Sequence, residues 1–173
     1  PDSVTSVGIN AFQECTNLSS VNLPDGVKVI NISAFQACSS LSFVKIPNTV
    51  TTLGTSVFLD CVALDSVGLS ENISLITQNA FKGCESLKFI VIPAGVTRIA
   101  NSAFKGCEAL GYIKSEATTP PELEKDAFRK VPDTIPVYVP CKDGEACESY
   151  VSEYQKAKYN WVSYFNKNSI QES

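Results

Sequence analysis

The stretch Ala103-Phe104-Lys105-Gly106-Cys107-Glu108-Ala109-Leu110-Gly111-Tyr112-Ile113 decides how this chain reads, because its pattern occurs five times. Phenylalanine recurs at 12, 35, 58, 81 and 104, cysteine at 15, 38, 61, 84 and 107, and leucine at 18, 41, 64, 87 and 110, always in steps of 23 residues. Three residue types locked to one period predict a solenoid, in which each unit stacks on the next.

Working outward, each unit opens with an apolar pair: Val4/Val7, Val27/Ile30, Val50/Leu53, Ile73/Ile76 and Val96/Ile99. It closes with a couplet spaced by two: Val21/Leu23, Val44/Ile46, Val67/Leu69, Ile90/Ile92 and Ile113/Ser115. Residues two apart on a strand share a face, so the couplet predicts a strand with its apolar residues inward. Pro24, Pro47 and Pro93 then stop the strand, since proline has no N–H to give to a ladder. The A-F-x-x-C-x-x-L spacing predicts a turn or a short helical arc that carries Phe, Cys and Leu inward. One unit cannot bury this much apolar surface, but stacked units cover one another, with strands ~4.8 Å apart in a parallel ladder.

Residues 2–116 form five such repeats, and 117–140 read as a degenerate sixth that caps the array. In it Ala127-Phe128 holds its place, Val131 takes the cysteine position and Thr134 the leucine position, and Val137-Tyr138-Val139-Pro140 restores the strand. Thr118-Thr119-Pro120-Pro121 is a turn or a short insertion. Residues 141–173 read as a loop and a capping helix. Cys147, Tyr150, Val151, Tyr154 and Ala157 make an apolar stripe on a helix from about Glu145 to about Tyr159, and Asn166 to Ser173 read as a frayed end. The whole is one structural domain. Val4, Val7 and Phe12 already sit in repeat register, and the chain opens at Pro1 without any methionine. Further repeats or another domain are therefore expected upstream in a longer protein.

This pattern resembles the BspA-like leucine-rich repeats, with their A-F-x-x-C-x-x-L-x-x-[IV]-x-[LI]-P signature near 23 residues. The likeness covers 2–116 and departs from the signature at Ser70, where proline is expected, and at Ser115 and Glu116, where the strand loses its apolar end. The resemblance implies a leucine-rich-repeat solenoid: right-handed coils of parallel β-strands with short helical or turn arcs and a C-terminal helical cap. It also implies a non-catalytic module, extracellular or on the cell surface, used for adhesion to a protein or glycan partner.

Composition narrows the chemistry. The net charge is −4 and no basic cluster offsets it, which disfavours nucleic acid. No apolar run is long enough for a membrane helix, so no membrane insertion is expected within these residues. There is no histidine, which removes Ser-His-Asp and Cys-His pairs, and no phosphate-binding glycine loop. Glu122/Glu124 and Asp143/Glu145 read as solvated loop acids rather than glycosidase carboxylates. The expectation is no enzyme and no cofactor. Cys15, Cys38, Cys61, Cys84 and Cys107 fall one per coil along a line, whereas zinc needs about four ligands around one point. Neighbouring rungs ~4.8 Å apart also exceed the ~3.5–4.5 Å Cβ separation of a disulfide. The five thiols read as small buried rungs with weak S–H bonds to backbone turns. Cys141 and Cys147 flank an Asp-Gly turn and are either a disulfide or two free thiols.

What the repeat leaves free is the outward side of its strands. There Phe43 and Lys45, Phe89 and Val91, and Tyr112 and Lys114 alternate with inward residues, so three aromatics with adjacent cations share one face. Aromatics on a regular sheet make a candidate binding surface. Two other roles remain open: an accessory binding domain of a larger enzyme, or an intracellular protein–protein scaffold.

Overall fold

The structure, a computed structural model, describes residues 1, 3–139 and 170–172. The expected loop with Cys141 and Cys147 and the expected helix over 145–159 lie outside the described residues. Each coil carries two strands. The short ones are β1 (Ser6–Val7), β2 (Val29–Ile30), β4 (Thr52–Leu53), β6 (Leu75–Ile76), β8 (Arg98–Ile99) and β10 (Glu122–Leu123). The longer ones are β3 (Phe43–Lys45), β5 (Ser66–Gly68), β7 (Phe89–Ile92), β9 (Tyr112–Ser115) and β11 (Val137–Val139), and β12 is Ile170–Glu172. All pairings are parallel, in the orders β1-β2-β4, β6-β8-β10, β3-β5 and β7-β9-β11-β12. The chain is thus a parallel β-solenoid of about six turns. The short strands were not evident as strands in the sequence. Two residues are too few to show alternation, and only the pairing of successive coils defines them.

The arc between the two strands is a run of turns, and no helix occurs among the described residues. The reason lies in where its N–H groups go. In the first coil Asn10, Phe12 and Glu14 donate to Ile32, Ala34 and Gln36 of the next coil, at 3.0, 2.8 and 2.8 Å. The alternate residues Ala11, Gln13 and Cys15 donate to the carbonyl three residues back. Half the donors therefore run along the solenoid axis, where a helix would keep all of them to itself. The reversal needs left-handed backbone at two places per coil. Asn10, Ser33, Ser56, Asn79, Ser102 and Asp126 hold the first, and Glu14, Ala37, Asp60, Gly83, Gly106 and Lys130 the second.

The core is a set of columns. Phe12, Phe35, Phe58, Phe81, Phe104 and Phe128 stack with centroids 5.1 to 5.5 Å apart and planes within 10°. Beside them Cys38, Cys61, Cys84 and Cys107 are fully buried, as are Leu41, Leu64 and Leu87. Ser70 stands where proline was expected and is buried. Its Oγ donates to the Val50 carbonyl at 2.6 Å and accepts the Asn72 N–H at 3.2 Å, so the hydroxyl closes the strand end that proline closes elsewhere. At Ser115 the strand does not stop. Ser115 is buried opposite Ile92, and its Oγ accepts from Ala117 N–H.

The sixth coil departs from expectation in two ways. Ile135, not Thr134, turns inward, because the apolar neighbour takes the buried position when the register shifts by one. The end read as frayed includes β12, which pairs Val137↔Ile170 through Val139↔Glu172 and continues the ladder past β11.

Candidate functional site

The outward face follows from the pleat. β3 and β9 begin exposed then buried, and β7 alternates half-buried with buried. Val44, Ile90 and Ile113 therefore point into the core, while their neighbours Phe43, Phe89 and Tyr112 point out. Phe43 is 50% exposed and Tyr112 36%, high for rings of this size. Phe89 and Tyr112 stack at 5.2 Å with planes 4° apart. Tyr138 meets Tyr112 edge-on at 6.0 Å, so a further aromatic joins the face. The sequence had shown it in Val137-Tyr138-Val139, an alternation that puts Tyr138 outward beside Lys114.

The flanking cations differ in setting. Lys45 is exposed and lies over Gly68, whose missing side chain leaves room for the lysine stem. Lys114 sits 3.9 Å from Glu116 in an exposed pair that contributes little to stability. Val91 is half-buried on the same face. Between Phe43 and Phe89 the coil carries only Ser66 and Gly68, and this leaves an open groove of about 340 Å³. Leu69, Val91 and Pro93 line it, and Glu71 and Glu116 border it. The Ser66 hydroxyl donates to Asp65 at 2.7 Å. That bond, and then the bond from the Lys88 ammonium, holds the Asp65 carboxyl below the usual range.

The cysteine column faces the other way. Cys38 Sγ donates to the Phe12 carbonyl at 3.0 Å, and Cys61, Cys84 and Cys107 repeat the bond to Phe35, Phe58 and Phe81 at 3.0, 3.2 and 3.2 Å. Each of these carbonyls also accepts the N–H of the cysteine in its own coil, so the thiol uses its second lone pair. Burial pushes Cys61 and Cys107 up to about 12, and raises Cys84 and Cys38 as well. Such thiols stay protonated and inert at neutral pH. Cys15, expected inward with the others, is exposed, because no coil packs against the first rung. Glu124, one of the paired acids, serves the frame: it meets Arg98 at 3.3 Å and accepts the Asn101 N–H at 2.9 Å. Among the described residues no cluster of His, Cys, Asp and Glu could hold a metal ion, and no helix is long and apolar enough to cross a membrane.

Parallel strands, a stacked phenylalanine column and thiol-to-carbonyl rungs repeated every 23 residues define a leucine-rich-repeat solenoid. Residues 1–131 match the BspA type leucine rich repeat region in six copies, and the chain belongs to that family. A leucine rich cell surface protein from Faecalibacterium prausnitzii is 33% identical, with a TM-score of 0.65, over 76% of this chain and 34% of its own. The leucine rich repeat protein of T. pallidum is 29% identical, with a TM-score of 0.64, over 81% of this chain and 58% of its own. The pneumococcal vaccine antigen PcpA shares the fold at 17% identity and a TM-score of 0.63, over 90% of this chain and 41% of its own. This chain thus spans about a third of the Faecalibacterium protein and just over half of the T. pallidum one. No curated protein matches it.

Proposed function

We propose that the chain is a non-catalytic interaction module, at the cell surface or secreted, that presents its aromatic strand face to a protein or glycan partner. The observation that carries this reading is the exposure of Phe43 and Tyr112 on a face whose backbone is otherwise regular, with Phe89 stacked between Tyr112 and the groove. Exposed rings on a rigid frame bury much apolar area on contact and lose little side-chain entropy. The family of the chain, and the description of the Faecalibacterium protein as a cell surface protein, support the location.

A displayed random-peptide library and a glycan array, each probed with the wild type and with the Phe43→Ser, Phe89→Ser, Tyr112→Ser triple variant, test the reading. Ligands selected on the wild type should bind the variant at least ~10-fold more weakly, the loss of a few hot-spot rings. The variant should melt within a few degrees of the wild type, since these rings lie outside the core. Ligands that bind both proteins equally would place the binding surface elsewhere.

A further inference from the structure

We propose that the gap at Ser66 and Gly68 receives one aromatic side chain of a protein partner, with a basic residue beside it in the partner chain. This rests on the aromatic face being the binding surface and specifies what it reads.

Phe43, Ser66, Phe89 and Tyr112 are successive rungs of one outward column. Phe43 is paired with Ser66 and Phe89 with Tyr112, and the Lys88 N–H bonded to the Asp65 carbonyl at 3.0 Å keeps the two middle strands in step. Where adjacent rungs both carry rings, the rings stack: Phe89 and Tyr112 are 5.2 Å apart, the spacing also seen inside the core. Ser66 is the one rung of this run without a ring. Two coils at ~4.8 Å each put Phe43 and Phe89 roughly 10 Å apart. A ring entering between them lies about 5 Å from both, within the ~4.5–7 Å range of aromatic pairs. The partner's ring thus takes the place of the missing rung.

The chemistry of the gap selects a ring over a sugar. A pyranose brings hydroxyls that need partners. The Ser66 hydroxyl is already committed to Asp65, Gly68 offers no side chain, and the remaining walls are Leu69, Val91 and Pro93. Polar side chains gather only at the border, as the carboxylates of Glu71 and Glu116. Glu116 shares only a long, exposed contact with Lys114. Two acids beside an apolar slot complement a cation next to the inserted ring, which sets orientation and speeds encounter.

The test is an NMR titration of the isotopically labelled full chain with three probes: the capped tripeptides Arg-Phe-Gly and Arg-Leu-Gly, and methyl glucoside. Arg-Phe-Gly should shift the amides of Ser66, Gly68 and Phe89 saturably and bind at least ~10-fold more tightly than the other two, since it alone makes ring–ring contacts worth about 1.4 kcal/mol or more. Ser66→Phe supplies the missing rung itself. It should keep the fold and abolish the shifts. Phe43→Ala, which removes one exposed wall, should weaken Arg-Phe-Gly at least ~3-fold and covers the case in which Ser66→Phe does not fold. The proposal falls if the shifts do not saturate, if Arg-Leu-Gly or the glucoside binds as well, or if Arg-Phe-Gly binds the two variants unchanged. Should it fall while the triple serine variant still loses its selected ligands, the face stands and the slot does not. If the triple variant keeps them, the face falls too.

Discussion

At the scale of single residues, the repeated cysteine earns its place by size and by one weak bond. Cys61 is fully buried and its thiol donates to the Phe35 carbonyl at 3.0 Å. Alanine there loses that bond and leaves a small void, at a cost of about 1–2 kcal/mol near neutral pH. The alkaline side gives a sharper signature. Burial raises the folded thiol to about 12 against the ordinary 9.0. A raised folded value means the stabilisation is complete below pH 9 and is lost as pH climbs through 12, because the unfolded chain releases its proton first. Between pH 8 and 10 the stability advantage of the wild type over Cys61→Ala should therefore shrink by ~1.4 kcal/mol. Urea unfolding of both proteins under reducing conditions measures it. A gap that stays constant, or widens, would contradict a buried neutral thiol.

At the scale of elements, the arcs depend on left-handed backbone that most residues avoid. Asp60 adopts it at φ = 58° and Gly83, one coil on, at 73°. A Cβ at Gly83 would meet both an unfavourable backbone and the Asp60 carboxylate that lies over it. Gly83→Ala should cost about 1–3 kcal/mol. Adding Asp60→Gly removes the obstructing carboxylate and relaxes the neighbouring arc, so the double variant should recover part of the loss. Thermal melts of the two variants read the coupling directly, and additive effects would argue against the contact. The same backbone explains why the arc spacing alone could not separate a turn from a helical arc. Phe, Cys and Leu at intervals of three suit both, and only the donation of Asn10, Phe12 and Glu14 to the next coil settles the matter.

At the scale of the whole molecule, each coil touches only its neighbours, so stability is a sum along the axis rather than a property of one compact core. Coils in the middle have two neighbours. The first has one, and leaves Ile9 64% and Phe12 36% exposed. Amide hydrogen exchange should accordingly be slowest in the arcs and strands of residues 50–115 and fastest over residues 3–23. Equal protection in all coils would mean the solenoid opens only as a unit.

The period of 23, the inward Phe, Cys and Leu, and the parallel strand couplets were legible because every copy repeats the same burial demand, and a demand repeated five times stands clear of local noise. The same alternation named Phe43, Phe89 and Tyr112 as outward residues. Three things needed the folded chain. Which residues form the short strands depends on pairing between coils, not on pattern within one. Whether Thr134 or Ile135 turns inward in the sixth coil depends on how a one-residue shift is absorbed. The groove depends on two coils being seen side by side. Ser66 and Gly68 look unremarkable in sequence, and they become a gap only when stacking sets them between the rings of Phe43 and Phe89. Periodicity fixes what lies along a column, and packing between columns and coils creates the spaces that a partner can enter.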